Sequence, residues 1–147
     1  MQINFTVNGK PFGKQRPKFS RVGNYVKTYT PDKTVNYENL GQFAFMEQVG
    51  SNDNLPFKDA LEVSMIAYYP IAKSKPKKTK LRMSLGYELP TKKPDCDNIA
   101  KAVLDALNGI AFDDDAQVVK LHVYKKYADT PRVEVSIREV FDYDQSL

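Results

Sequence analysis

Apolar and polar residues alternate in four separate stretches of the chain, which is the pattern of β-strands with one buried face. These stretches read "INFTVNG" near the start, "DALEVSMIAYYP" in the middle, and "QVVKLHVYKKY" and "RVEVSIREV" near the end. In the third stretch, Val119, Leu121 and Val123 are expected to face the core, because they alternate with Lys120 and His122. The pattern therefore predicts a sheet of four strands.

Two further stretches carry apolar residues at helical spacing. The first helix is predicted to begin with Thr30 as N-cap and Pro31 as the first helical residue, and to stop near Gly50. The second helix is predicted to begin at about Asp97 and to end at the Asn-Gly pair 108–109. Positions predicted to face the core are Tyr37, Leu40, Phe43 and Ala44 in the first helix, and Ile99, Val103, Ala106 or Leu107, and Ile110 in the second.

The order of these elements, β-α-β-α-β-β, predicts an α/β (α+β) fold in which two main helices pack on a small mixed sheet. Residues 10–30 contain two prolines and two glycines among basic and aromatic residues, and are predicted to form a loop or an irregular hairpin. A lysine-rich segment at residues 73–82 is expected to form a short surface helix or a loop. Residues 1–140 are predicted to be a single domain, followed by a short tail at residues 141–147.

The composition, with 147 residues of which 41% are hydrophobic and 27% charged, is typical of a globular protein. No apolar stretch approaches the ~20 residues needed to span a bilayer, so we expect no membrane association and a cytoplasmic location. One cysteine, Cys96, and one histidine, His122, are too few for an internal disulfide or a typical tetrahedral zinc site. His122 is interpreted as a surface residue on a strand, and Cys96 as a small filler.

The net charge of +4 is distributed unevenly along the chain. Two tracts, "GKQRPKFSR" and "KSKPKKTKLR", concentrate lysine and arginine. Such tracts can supply the salt-sensitive attraction to phosphates that dominates nucleic-acid affinity. The other interpretation is that each tract is only a solvated surface segment, and the tracts alone leave both open.

Acidic residues nevertheless cluster at two boundaries of this basic chain. Asp95 and Asp97 stand at the start of the second predicted helix, and residues 113–115, all aspartate, stand before the third predicted strand. Lys101 follows Asp97 by four residues and is expected on the same helix face. Each residue also has a purely structural interpretation: Asp97 as an N-cap worth about 1 kcal/mol, Lys101 as the partner of Asp105, and residues 113–115 as a solvated turn.

The two acidic clusters together favour a metal site, because converging like charges are destabilising unless a cation or protonation relieves them. Oxygen ligands without nitrogen or sulfur suit a hard ion such as Mg²⁺, which is bound by carboxylates, waters and substrate phosphates. Such an ion would activate water for attack on a phosphodiester, and Lys101 would stabilise the developing charge. One geometric difficulty is that a helix of about a dozen residues, rising about 1.5 Å for each, would place the second cluster at its far end.

The stretch "KKPDCDNIAKAVLDALNG" followed by "DDDAQVV" resembles the RusA family of Holliday-junction resolvases, in which a D-x-D-N-x-x-K-x-x-x-D-x-L motif precedes a D-D-x-Q-V motif. The resemblance is close over residues 92–119 and looser elsewhere. It implies a homodimeric, Mg²⁺-dependent endonuclease, with Mn²⁺ as the expected substitute. The implied reaction is paired, symmetric cleavage of a four-way DNA junction in recombination and repair.

The family's functional residues can be carried over one by one onto this sequence. The resemblance implies that Asp95, Asp97 and Asp115 bind metal and act in catalysis with Lys101, and that Asp114 is a weaker fourth ligand. It implies DNA contacts for basic residues before the motif and in the N-terminal loop, which are Lys92, Lys93, Lys14 and Arg16. Two alternatives stay open: a non-catalytic nucleic-acid-binding module, and a metal nuclease that prefers flaps or forks.

Overall fold

The computed structural model describes residues 1–15, 18–29 and 31–141. The described elements comprise strands β1 (Gln2–Asn8), β2 (Lys18–Val22), β3 (Tyr25–Tyr29), β4 (Leu61–Pro70), β5 (Val118–Ala128) and β6 (Arg132–Glu139), and helices α1 (Asp32–Gln48), α2 (Lys77–Ser84) and α3 (Cys96–Leu107). A single 3₁₀ turn at Asp115–Gln117 precedes β5. Within the described residues, no helix is both long and apolar enough to cross a membrane.

A four-stranded mixed sheet forms the centre of the fold, in the order β1-β6-β4-β5. The pairs β1–β6 and β4–β6 are antiparallel, whereas β4 and β5 are parallel, with α2 and α3 in the crossover between them. The predicted fold class and the order of the four predicted strands and two main helices are confirmed. Two features were left open by the sequence: residues 18–29 form a two-stranded hairpin, and the lysine-rich segment contains the short helix α2.

The core lies on one face of the sheet, beneath α1 and α3. The alternation predicted for β1, β4 and β6 holds, since every second residue of these strands is buried. In α3, the predicted positions Ile99, Val103 and Leu107 are buried. The two helices approach closely at Gly41, where an added Cβ would lie 3.2 Å from the Ala106 Cβ.

The inward face predicted for α1 is partly wrong. Leu40 and Phe43 are 42% and 64% exposed. The buried stripe of this helix consists of Thr34, Tyr37, Gly41, Ala44 and Phe45. Helix α1 also begins one residue later than predicted, with Pro31 in the N-cap position; Thr30, the predicted N-cap, lies outside the described residues.

The inward face predicted for β5 also needs correction. Val119 and Leu121 are 60% and 46% exposed. Leu61 pairs with Val118 and Glu62 pairs with Lys120, so Val119 is the extra residue of a β-bulge. Leu121 stands beside the core residue Val63 of β4, but β5 is an edge strand of the sheet.

The opposite face of the sheet carries polar side chains. Glu62 accepts a hydrogen bond from Arg138 at 2.5 Å and lies 2.9 Å from Nε2 of His122. The hydrogen bond with His122 and the contacts with Arg138 hold the pKa of the Glu62 carboxyl below its usual range, although burial opposes them. His122 is at the surface, as predicted.

Candidate metal and nucleic-acid site

Two exposed carboxylates stand at the start of helix α3. Asp95 occupies the N-cap position with extended backbone (φ −74°, ψ 160°), and Asp97 lies in the first turn. The helix thus begins slightly earlier than predicted, and Asp97 is not its N-cap. The Asp95 side chain makes no capping hydrogen bond. Both carboxylates are therefore free to bind another partner, which an aspartate whose side chain caps the helix by a hydrogen bond would not be.

Lys101 is exposed one helical turn after Asp97, on the face that i and i+4 residues share. Within the described residues it has no ion-pair partner. Asp105, its predicted structural partner, instead pairs with Lys14. The arrangement leaves an ammonium group available to a ligand held by the carboxylates.

Two side chains from the sheet hold the loop that leads into α3. The Tyr69 hydroxyl donates to the Pro94 carbonyl at 2.6 Å, and Lys125 Nζ donates to the Lys92 carbonyl at 2.6 Å. Burial is the main cause that raises the pKa of Tyr69 to about 12, and its hydroxyl is a donor well above neutral pH. These contacts fix the backbone immediately before Asp95.

The N-terminal segment supports the same region from the other side. At Gly13, an added Cβ would lie 2.6 Å from the Pro94 Cβ and 3.3 Å from the Asn98 Cβ, so only glycine fits without a shift. The Lys14 amide donates to the Asn98 carbonyl at 3.2 Å. The Lys14 ammonium pairs with Asp105 and lies 3.8 Å from Glu38.

The second acidic cluster lies at the other end of α3. The Asp115 amide donates at 3.0 Å to the side chain of Asn108, which caps the helix C-terminus, and Asp113 pairs with Lys58 at 2.8 Å. The Gln117 side chain accepts from the Asp114 amide and donates to two carbonyls, at positions 57 and 59. Gln117 therefore fixes this cluster at the start of β5.

The four predicted metal ligands do not come together within one chain. Helix α3 has 12 residues, so at about 1.5 Å per residue its two ends are ~18 Å apart. Over the described part of the chain, no three histidine, cysteine, aspartate or glutamate side chains are grouped closely enough to hold a metal ion. The structure therefore separates the two acidic clusters by the length of the helix, which is the geometric difficulty that the sequence raised. Asp95 and Asp97 alone fit the one or two carboxylates that Mg²⁺ usually takes from a protein.

The basic residues predicted to contact DNA near the start of α3 differ in their exposure and pairing. Lys92 and Lys93 are exposed beside Asp95, whereas Lys14 is 24% exposed and paired. Arg16, the fourth predicted DNA contact, lies outside the described residues. A cleft whose lining includes Lys75, Glu88, Lys92 and Tyr127 runs from the α2 region to this loop. The lysine-rich segment is thus connected to the candidate site by a continuous surface.

Several residues that build the site were not identified from the sequence: Gly13, Tyr69, Gln117 and Lys125. A signal existed for Lys125, because it falls on the same face of β5 as Val123 and Tyr127, where an apolar residue is expected. Gln117 was visible as the glutamine of the D-D-x-Q-V motif. The contacts of Gly13 and Tyr69 join distant parts of the chain and have no local pattern. Cys96, interpreted as a filler, is in fact exposed.

Comparison with known proteins identifies the family of the chain. The chain is 37% identical over 140 residues to the protein named "Uncharacterized protein YqaN" of Bacillus subtilis (strain 168), and the alignment covers 94% of this chain and 96% of that protein. Residues 8–138 match the family described as "Endodeoxyribonuclease RusA". This match includes both acidic clusters, Lys101, strands β4 and β5 and all but the last residue of β6, whereas most of β1 precedes it. The chain therefore belongs to the RusA endodeoxyribonuclease family.

Proposed function

We propose that the protein is a divalent-metal-dependent endonuclease that resolves four-way DNA junctions as a homodimer. The observation that carries this proposal is the exposed set of Asp95, Asp97 and Lys101 at the start of α3, beside Lys92 and Lys93, in a chain of an endodeoxyribonuclease family. Neither carboxylate is used in an ion pair within the described residues. A non-catalytic DNA-binding module would have no use for two uncompensated carboxylates on a surface that must attract phosphates.

The metal is proposed to be Mg²⁺, with Mn²⁺ as a substitute, held by Asp95 and Asp97. When bound, such an ion supplies an activated water and screens charge on the phosphoryl oxygens. The protein's own residues position the reaction. Tyr69 and Lys125 hold the loop that carries Asp95, and Lys101 places its ammonium where a phosphate bound at the carboxylates would develop negative charge.

Asp114 and Asp115 are proposed to complete the metal site from a second protomer. A two-fold interface is isologous, so that if residue i of one protomer contacts residue j of the other, j also contacts i. Pairing the start of α3 in one protomer with the start of β5 in the other would therefore create two equivalent sites. Two sites are what paired cleavage of a four-way junction requires.

DNA is proposed to reach the site along phosphate-binding lysines. Lys92 and Lys93 are exposed beside the carboxylates, and the cleft toward α2 leads from Lys92 to Lys75 of the lysine-rich segment, with Glu88 also in its lining. Arg16 is proposed as a further contact from its sequence position. Lys14 has the same predicted role, but its charge is already balanced by Asp105.

The direct test measures cleavage of a labelled four-way junction, fork, flap and linear duplex, each with and without Mg²⁺. We expect Mg²⁺-dependent, paired cuts in the junction, and we expect Asp95→Asn, Asp97→Asn and Asp115→Asn to abolish cutting while junction binding persists. If all three variants cut normally, the metal ligands are assigned wrongly. Cutting of forks or flaps in preference to the junction would favour the related nuclease activity, and no cutting of any substrate would favour the binding module.

Lys101→Ala is expected to bind the junction like the wild type and to cut it at least about 100-fold more slowly, since one preorganised charge contributes about that much in such sites. Single-turnover cleavage at saturating protein measures this effect. Lys33→Ala, in the first turn of α1, is the matched control that removes an exposed lysine outside the proposed metal and DNA contacts. An unchanged rate for Lys101→Ala would remove this residue from the proposed catalytic set.

A complementation experiment tests the shared site. If Asp97 and Asp115 act across the dimer, a heterodimer of Asp97→Asn with Asp115→Asn contains one doubly substituted site and one intact site. Co-refolded mixtures should recover nicking at roughly a quarter of the wild-type site activity, since half of the dimers are mixed and each has one good site. Recovery cannot occur if each chain holds a complete site alone. Light scattering should give about twice the 16.7 kDa chain mass.

A further inference from the structure

The hairpin formed by β2 and β3 projects apolar and aromatic side chains into solvent. Phe19 is 72% exposed, Tyr25 66% and Val26 60%, and all five residues of β3 are exposed. The hairpin is a two-stranded sheet of its own, separate from the four-stranded sheet. Exposed rings of this size cost solvation free energy, so they indicate a binding surface rather than a structural role.

The charge around these rings identifies the kind of partner. No residue from 1 to 31 is acidic, whereas six are lysine or arginine. Cross-strand register places Phe19 and Arg21 on one face of the hairpin, and Tyr25 and Lys27 on the other. Each face therefore combines a ring with a cation. Among the described residues, neither Arg21 nor Lys27 has an ion-pair partner. A polyanion with flat apolar faces matches this surface better than a typical protein surface.

The segment that precedes the hairpin contacts the candidate site. Gly13 packs against Pro94, and the Lys14 amide bonds to Asn98, in the first turn of α3 beside Asp97. Each strand has five residues, so at about 3.3 Å per residue the hairpin is ~17 Å long, and β2 begins four residues after Lys14. That length is comparable to the width of a DNA duplex. A ligand cut at the start of α3 would therefore lie within reach of the rings.

We propose that the hairpin is a base-stacking arm: Phe19 and Tyr25 stack on bases left without a stacking neighbour at the exchange point of a branched DNA, while Arg21 and Lys27 contact the flanking phosphates. The proposal rests on the proposed junction endonuclease function and names the part of the substrate that the arm contacts. Aromatic side chains bind unstacked bases independently of sequence, because every base has a π face. The arm thus recognises the branch point of the DNA. Phosphate contacts alone do not distinguish a branched DNA from a linear duplex.

The test uses a four-way junction with 2-aminopurine at the exchange point, in metal-free buffer so that no cutting occurs. We expect wild-type binding to change the 2-aminopurine fluorescence. Phe19→Leu and Tyr25→Leu keep an apolar side chain but remove the ring. Each should lose most of the fluorescence change and bind the junction about 10-fold more weakly, as one lost base–ring stack implies. Affinity for a linear duplex should remain unchanged.

Two controls make the result specific. Phe19→Tyr keeps a ring and should retain both junction affinity and the fluorescence change. Thr28→Ala alters the residue paired with Phe19 across the hairpin without removing a ring, and should bind like the wild type. Circular dichroism melting should be the same for all variants, because the hairpin is not part of the main sheet.

Three outcomes would overturn the base-stacking arm: leucine variants that bind the junction like the wild type, leucine variants that lose junction and duplex binding equally, and leucine variants that become monomeric by light scattering. The last outcome would assign the hairpin to contacts between protomers. Because no metal is present, these readouts are independent of catalysis. A protein that never cuts DNA could still show the arm, and a working nuclease could lack it.

Discussion

Replacing Lys14 by methionine separates two roles for this lysine. The family resemblance assigns Lys14 to DNA contact, whereas the structure pairs its ammonium with Asp105, with Glu38 at 3.8 Å. The two side chains of the main pair are only 24% and 16% exposed. Methionine retains the apolar stem of the lysine and removes the charge, so the variant leaves Asp105 without its partner.

The expected loss of stability follows from the burial of the ion pair between Lys14 and Asp105. Exposed ion pairs contribute about 0–1 kcal/mol, whereas removing one partner of a fully buried pair costs about 3–5 kcal/mol. This pair lies between those limits, and Asp105 retains some access to water, so we expect a loss of about 1–2 kcal/mol. For a chain of 147 residues that loss corresponds to a fall in Tm of roughly 3–8 °C.

Two measurements distinguish the roles. Urea unfolding of Lys14→Met, Asp105→Asn and the double variant should give a coupling free energy of about 1 kcal/mol, because the residues are in direct contact. The salt dependence of junction binding should be unchanged in Lys14→Met. The control is Lys92→Met, at an exposed lysine, which should leave stability unchanged and reduce the slope of log affinity against log salt by about 1.

The reasoning is refuted if Lys14→Met unfolds like the wild type and the salt slope falls by about 1. That combination would mean that Lys14 leaves Asp105 to contact a phosphate. A coupling free energy near zero would independently contradict a stabilising pair between Lys14 and Asp105.

Three further substitutions test the supports of the site and the charges of the open sheet face. Gly13→Ala should destabilise the protein by about 1–3 kcal/mol in urea unfolding, because the new methyl group would lie 2.6 Å from the Pro94 Cβ; wild-type stability would contradict this close contact. Tyr69→Phe should lower the free energy of unfolding by about 1 kcal/mol, because it removes only the hydrogen bond to the Pro94 carbonyl. It should also slow junction cleavage without weakening junction binding. Equal loss of binding and cleavage would argue against a positioning role. Glu62 has a lowered pKa in the folded state, principally through His122, so its contribution to stability is present above the unfolded value of about 4.5 and is lost as pH falls through the folded pKa. Unfolding free energies measured from neutral to acidic pH should therefore fall less for Glu62→Gln than for the wild type, and parallel curves would exclude this contribution.

The sequence predicted those parts of the fold that depend on local periodicity. Strands β1, β4 and β6 alternate cleanly because each presents one face to the helices. The pattern failed in β5, where a bulge at Val119 and an uncovered edge at Leu121 depend on pairing rather than on local sequence. It failed in α1 because apolar residues occur on two faces of that helix. The close approach of Gly41 to Ala106 selects the buried face, and no local signal reveals it.

The distinction between local sequence patterns and tertiary contacts also applies to the site. Asp95, Asp97 and Lys101 are close in sequence, so the motif alone brings them to one end of one helix. The partner of Lys14 is 91 residues away, and the contact of Tyr69 with the loop before α3 also joins separate elements. Such contacts arise from the tertiary fold. They cannot be inferred from spacing, so the pairing of Lys14 with Asp105 was not predicted.

Topology explains why the two acidic clusters are separated, and why the proposed site needs two protomers. Strands β4 and β5 are parallel, so the chain must return along the sheet between them, and α3 makes that return. The residues before α3 consequently lie near the carboxyl ends of the strands, where Tyr69 and Lys125 hold them, and the residues after α3 lie near the amino ends. The carboxyl end of such strands is also the usual place for a ligand, and the start of a helix there favours a phosphate. No change of loop length within one chain can bring Asp115 around to Asp97 while β4 and β5 stay parallel. The proposed two-fold partner would do so, because it would present its own start of β5 to the first protomer's α3 and receive the same in return.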